Sequence, residues 1–158
     1  GLVLAAGSPD EEGIGNEVAA LIAELQSTRS NVWWIKEMLP HDQLTAMLTA
    51  ADLFVCPSIY EPLGIVNLEA MGCETAVLGS RVGGIPEVVA DKETGELVDY
   101  NGEAAPFEKA LTESITRLMS QPELLKKYGA AGRVRAQKLF GWDAVAALTV
   151  DLYRRVIA

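Results

Sequence analysis

Apolar residues along the chain alternate between short unbroken runs and stripes at helical spacing. Leu2 to Ala6 is a compact apolar run and reads as a short buried strand. After the polar loop Ser8 to Gly13, Val18, Leu21, Ile22 and Leu25 fall at i, i+3, i+4 and i+7, one face of a helix. Asn31 to Ile35 reads as a second strand, and Leu44, Met47, Leu48 and Ala51 repeat the helical spacing. Leu53 to Pro57 is a third strand, stopped by a proline that has no N–H for a ladder. A helix over Gly64 to Gly72 follows, then a fourth strand at Thr75 to Leu78. One or two helical turns at Ile85 to Ala90 and a short last strand at Gly95 to Val98 complete the alternation.

Beyond that point the pattern is helical. Phe107, Leu111, Ile115 and Leu118 mark one helix. Pro122 suits the first turn of the next, which runs to Leu139, and Val145, Leu148, Leu152 and Val156 mark a third. No repeat, linker or low-complexity segment interrupts the series. Strands and helices joined by short connections specify an α/β fold: a doubly wound, mostly parallel sheet with helices on both faces, followed by three C-terminal helices. Ligands of such sheets bind at the carboxyl ends of the strands, where loops lead into helix N-termini. The loops to search are therefore those around Gly7, Lys36 to Pro40, Ser58 to Gly64 and Ser80 to Ile85.

Composition narrows the choice of ligand. The length of 158 residues suits one domain with a sizeable core. The net charge of -9 argues against nucleic acid or an anionic membrane as main partner, because both reward basic patches. No apolar run approaches the ~20 residues of a membrane span, and Gly1 to Gly7 lacks the features of a signal peptide. Cys56 and Cys73 make neither a disulfide framework nor a spaced metal site; they predict reduced, largely buried thiols and a cytoplasmic protein. His41, the single histidine, has no second histidine with which to share a metal and falls at a helix start. Neither a metal nor a cofactor is expected.

The loop after the third strand carries the chemistry. It reads Ser58-Ile59-Tyr60-Glu61-Pro62-Leu63-Gly64, and the helix begins near Gly64. Pro62 fixes its own φ, and Gly64 lets the backbone approach a ligand closely. The N–H groups of Leu63, Gly64, Ile65 and Val66 are expected to be unpaired at the helix start, where the helix dipole adds to them. Such an anion site needs no basic side chain, so an acidic domain is able to hold a diphosphate. Glu61 lies before the helix start, and Glu69 lies five residues beyond Gly64, about 7–8 Å along the axis. Carboxylates only accept hydrogen bonds, so they suit hydroxyl groups rather than phosphate. The pattern points to a ligand with hydroxyls at both ends and a diphosphate between them: sugar, diphosphate, ribose.

The run Cys56-Pro-Ser-Ile-Tyr-Glu-Pro-Leu-Gly-Ile-Val-Asn-Leu-Glu-Ala-Met-Gly72 resembles the Glu-x7-Glu motif of the "group 1" retaining glycosyltransferases of GT-B fold. Val82-Gly-Gly-Ile-Pro-Glu-Val-Val89 and Thr94-Gly-Glu-Leu-Val98 are similar to that family's next signatures, in order and spacing. Ala51-Asp52-Leu53 and Phe140-Gly-Trp142 also resemble it, so the likeness covers essentially the whole chain. Its wording is nearest to actinobacterial glycogen synthases, which make α-1,4-glucan or maltose 1-phosphate from ADP- or UDP-glucose.

The resemblance implies a nucleotide-sugar donor and a set of roles. Glu61, the catalytic residue, would contact hydroxyls of the donor sugar near its reacting carbon. Glu69 would hold the ribose hydroxyls, and the amides of Leu63, Gly64 and Ile65 would bind the sugar or diphosphate. The backbone around Met38 and Leu39 would edge the base. Gly83 and Gly84 admit two readings, close approach of a neighbouring loop or a purely structural turn. Lys36 and Arg81 are candidate cations for the diphosphate; solvent capping of a strand end is the commoner role for a residue such as Arg81.

Members of that family open their donor domain with an earlier strand, whose loop carries an Arg and a Lys for the diphosphate, and bind the glucan acceptor on an N-terminal domain. This sequence starts at what resembles the second strand. Residues 1–158 are accordingly expected to be the donor-binding domain of a longer enzyme and inactive by themselves. Other readings are a group 1 enzyme with a lipid, thiol or polysaccharide acceptor, a nucleotide-sugar epimerase, and a non-catalytic nucleotide-sugar-binding module. The Gly13-Ile-Gly15 pair lacks the third glycine of a dinucleotide fingerprint and is discounted.

Overall fold

The structure, a computed structural model, describes residues 1–7, 9 and 11–157, so part of the loop expected at Ser8 to Gly13 lies outside the described residues. The chain divides into two compact units, Gly1–Leu44 and Thr45–Ala158.

In the first unit β1 (Leu2–Ala5) pairs in parallel with β2 (Val32–Ile35), Leu2 opposite Val32 and Ala5 opposite Ile35. The connecting helix α1 (Glu12–Thr28) begins earlier than the sequence predicts, so Gly13 and Gly15 sit inside its first turns. That placement disposes of the dinucleotide echo. Val18, Ile22 and Leu25 are half-buried, whereas Leu21, on the predicted face, is 58% exposed. On β2 the Trp34 ring carries the Lys36 Nζ 4.2 Å above its centre.

Helix α2 (His41–Ala50) opens on His41 and runs into the second unit, where Leu48 is buried. Thr75 Oγ1 donates to the Leu48 carbonyl at 2.5 Å. Next come β3 (Leu53–Cys56), α3 (Ile65–Gly72), β4 (Ala76–Ser80), α4 (Ile85–Val88) and β5 (Gly95–Val98). The three strands form a parallel sheet in the order β3-β4-β5. The strands thus hydrogen-bond as one pair and one trio, parallel throughout, where the sequence predicts one sheet.

β4 is buried at all five positions and paired on both edges. It runs two residues further than predicted because Gly79 and Ser80 pair with Leu97 and Val98. Pairing overrides the poor strand propensity of these two residues. Ala76, Leu78 and Val98 meet Phe107 and Leu111 of α5 (Ala104–Met119) together with Leu125 and Tyr128 of α6 (Pro122–Phe140). Tyr100 packs edge-to-face on Phe107 at 5.2 Å. The last helix, α7 (Trp142–Ile157), has the predicted stripe, but Val145, Leu148, Leu152 and Val156 are 40 to 73% exposed. Helical spacing identifies the element; whether its apolar face is covered depends on a neighbour, which spacing does not supply. Among the described residues no helix is long and apolar enough to cross a membrane.

A buried charge ties β5 to the two helices above it. Glu96 is 2% exposed, and its carboxylate accepts both guanidinium nitrogens of Arg117 from α5. Lys92 Nζ lies 2.6 Å away, and the Tyr128 hydroxyl of α6 donates at 3.4 Å. Burial alone would raise the Glu96 pKa, but the bonds from Arg117 and Lys92 outweigh it and hold the carboxyl below its ordinary value. The same burial, with Glu96 beside it, raises the Tyr128 phenol.

The loop from β4 into α4 fixes the loop from β3 into α3. Gly84 N–H donates to the Glu61 carbonyl at 3.0 Å. Gly83 has φ +50°, and a Cβ there would lie 1.8 Å from the Glu61 carbonyl oxygen; one on Gly84 would lie 2.4 Å from the carbonyl oxygen of Pro62. Close approach of the two loops is therefore the role of this glycine pair. The Ser80 hydroxyl donates to the Ser58 carbonyl and ties down the start of the same loop. Arg135 of α6 donates to the carbonyls of Glu87 and Val88, both at 2.8 Å, and so caps α4.

Two outcomes follow. Glu96→Gln keeps the shape but leaves Arg117 and Lys92 without a charge partner. Losing one partner of a buried pair costs ~3–5 kcal/mol, and with Arg117 and Lys92 43% and 60% exposed the expected loss is about 2 kcal/mol. Urea unfolding should show a lower midpoint at unchanged slope. Because the folded Glu96 pKa is depressed, its contribution is complete above the unfolded value of ~4.3 and disappears as pH falls through the folded value. Glu96→Gln should flatten that acid limb. For Gly83→Ala the clash and the positive φ together should cost at least about 2 kcal/mol, and unchanged urea stability would contradict the loop contact.

Candidate functional site

The loop after β3 does what its sequence requires at the turn. Gly64 is the residue before α3 and adopts the left-handed conformation, φ 84° and ψ 53°. Its carbonyl accepts from Asn67 N–H at 2.9 Å and closes the first turn. A Cβ at Gly64 would lie 2.5 Å from Asn67 Nδ2 and 3.4 Å from Ile85 Cγ1, so glycine is needed for space as well as for φ.

Glu61 corrects one expectation. Its Oε1 accepts from the Gly64 N–H at 2.9 Å, so one of the four amides predicted to be unpaired is engaged by the chain itself. A carboxylate is a strong local acceptor, and this one takes the N–H three residues further on. Among the described residues no acceptor takes the N–H of Leu63, Ile65 or Val66. These three donors remain at the start of an eight-residue helix. Leu63 and Ile65 are 37% and 64% exposed, so their backbone borders solvent.

Glu69 sits one turn inside α3 and is half-buried, with no ion pair among the described residues. The second unit thus brings together Glu61, Leu63, Gly64, Ile65 and Glu69 on one loop and one helix. Met38 and Leu39 belong to the first unit, between β2 and α2, with Met38 86% exposed and Leu39 half-buried.

The candidate cations have other engagements. Arg81 Nε donates to Asp99 at 2.7 Å and Nη2 to Asp91 at 2.6 Å. The Asp91 and Asp99 hydrogen bonds raise its pKa. On Asp91, burial acts to raise the pKa and is outweighed by the bonds from Arg81 and the Leu97 N–H, so the net shift is downward. Arg81 is therefore a brace between the strand ends of β4 and β5. Lys36 lies over Trp34 in the first unit. Cys56 is buried and Cys73 half-buried, both as free thiols. Among the described residues no cluster of His, Cys, Asp and Glu could hold a metal ion.

Sequence reasoning missed Asn67. It is fully buried in the first turn of α3, and neither its Oδ1 nor its Nδ2 has a partner. A buried polar group left unpaired costs about 1–3 kcal/mol. The available signal was its place as the one polar residue in the otherwise apolar stretch Ile65-Val66-Asn67-Leu68.

The family described as "Glycosyl transferases group 1" matches residues 3–135. Alpha-maltose-1-phosphate synthase of Mycolicibacterium smegmatis is 49% identical over 158 residues, covering 99% of this chain and 41% of that protein. MMP alpha-(1->4)-mannosyltransferase of Mycolicibacterium hassiacum is 37% identical over 139 residues, 87% of this chain and 32% of that one. Among solved structures, sucrose-phosphate synthase of Thermosynechococcus elongatus superposes with a TM-score of 0.82 at 33% identity, covering 99% of this chain and 38% of that one. The Anabaena protein HepE, crystallised with UDP-glucose, shares the fold with a TM-score of 0.72 at 21% identity, over 94% of this chain and 40% of its own. The chain spans about two fifths of the length of these relatives. Where the motif wording pointed to glycogen synthase, the most similar of these relatives carries the name alpha-maltose-1-phosphate synthase. The α/β fold is that of GT-B glycosyltransferases, and the chain belongs to the group 1 glycosyl transferases.

Proposed function

We propose that this chain holds the nucleotide-sugar donor of a retaining hexosyltransferase that moves glucose from ADP- or UDP-glucose to an α-glucan or to glucose 1-phosphate. The observation that carries this reading is the start of α3, where the unpaired N–H groups of Leu63, Ile65 and Val66 fall between Glu61 and Glu69 along the chain. In the reaction the nucleoside diphosphate leaves as positive charge develops on the sugar. Amides already aimed at the diphosphate stabilise the charge it gains, with no reorganisation at that moment. Glu61 acts on the hydroxyls of the transferred sugar and favours the developing positive charge, and Glu69 binds the ribose hydroxyls. The base lies along Met38 and Leu39. Of the two products, maltose 1-phosphate is favoured by the 49% identity to the synthase of that name, against 34–38% to mannosyl- and inositol-phosphate transferases. Those relatives support the second reading, the same donor half serving a different acceptor.

The protein is proposed to act in the cytoplasm, with the acceptor held by a separate N-terminal domain and the cations for the diphosphate supplied from outside residues 1–158. Calorimetry on the complete protein tests the donor site. ADP-glucose or UDP-glucose should bind, and Glu69→Ala should weaken binding about tenfold, the effect of losing one charged hydrogen bond. Binding of neither ligand would remove the donor-site reading; binding untouched by Glu69→Ala would remove only the ribose assignment. Residues 1–158 alone should transfer no sugar, and detectable transfer would show that the site is complete without further chain.

A further inference from the structure

Asn67 is fully buried with both carboxamide atoms unpartnered, although its surroundings contain an acceptor group. The point where a Gly64 Cβ would stand lies 2.5 Å from Asn67 Nδ2 and 3.4 Å from Glu61 Cγ. The two side chains are therefore neighbours across the bare face of Gly64, and the Ile85 side chain borders the same point at 3.4 Å. The Glu61 carboxylate is meanwhile committed to the Gly64 N–H. That amide is one the donor is assigned to use.

We propose that Asn67 is a positioning residue for Glu61: its Nδ2 receives the Glu61 carboxylate when the donor sugar takes over the Gly64 N–H. The proposal rests on the donor-site reading above. A carboxylate has no proton to donate, so it must be met by a donor wherever it points. Displaced from Gly64, it has the donor Nδ2 of the Asn67 carboxamide unpartnered across the bare face of that glycine. One hydrogen bond is exchanged for another, and the carboxylate is turned from the helix start toward the sugar hydroxyls. The unpartnered state of Asn67 in the present arrangement and the self-engaged state of Glu61 are then two sides of one device. Nucleotide without sugar leaves the Gly64 N–H to Glu61 and does not call on Asn67.

The test compares wild type, Asn67→Leu and Asn67→Ala in the complete protein by thermal melting and by calorimetry with UDP, ADP, UDP-glucose and ADP-glucose. Leu fills the space; Ala serves if Leu strains the turn. Expected are an unchanged or raised Tm, since an unpartnered polar group is removed, about tenfold weaker binding of the nucleotide sugar, and nucleoside diphosphate affinity within twofold of wild type. In a Glu61→Ala background the Asn67 substitution should have no further effect on binding, because the two residues act as one. A lowered Tm with equal losses for both ligands, or no loss for either, would overturn the proposal, as would additive effects in the double variant. Failure of wild type to bind any nucleotide sugar would instead strike at the donor-site reading itself.

Discussion

β4 is paired on both edges and buried along its whole length, and the second unit is organised around that fact. A strand in this position has no freedom in register, since slipping by one residue would turn its apolar set to the wrong face. Its carboxyl end is therefore fixed, and with it the turn through Gly83 and Gly84. Those glycines sit against the backbone of Glu61 and Pro62, so the geometry of the β4 terminus passes directly to the neighbouring loop. The start of α3 inherits its position from a strand to which it does not belong.

Charge is handled by the same economy of means. The described cations that stand near acidic groups are engaged with them: Arg81 braces Asp91 and Asp99, and Arg117 and Lys92 neutralise Glu96 beneath α5 and α6. Beside Glu61, main-chain donors are left without an acceptor among the described residues, the N–H groups of Leu63, Ile65 and Val66. Backbone amides at a helix start carry partial positive charge without altering the net charge of the protein, which stays at -9.

Much of this was legible in the sequence. Among the described residues the order and type of the strands and helices follow the apolar runs and helical stripes, while the start of α1 and the end of β4 do not. The Glu61 to Glu69 segment was equally legible, since proline, glycine and the following apolar helix each constrain the backbone in a known way. The misses share a cause. The extension of β4 through Gly79 and Ser80, the exposure of Leu21 and of the α7 stripe, and the capture of the Gly64 amide by Glu61 all depend on what lies opposite a residue. Periodicity along the chain does not carry that information. Asn67 is the sharpest case, for a single asparagine among apolar neighbours announces an anomaly without naming its partner.

A loop held in place by main-chain contacts inverts the usual relation between exposure and sensitivity. Leu63 and Ile65 are 37% and 64% exposed, so their side chains have room to vary in size and shape. Gly83 and Gly84 sit against the backbone of Glu61 and Pro62, and no side chain larger than hydrogen fits there. Within such a scaffold, side chains on the loop are able to change over generations while the path of its backbone stays constant. The strictest constraint falls on the neighbouring turn, at positions that carry no side chain at all.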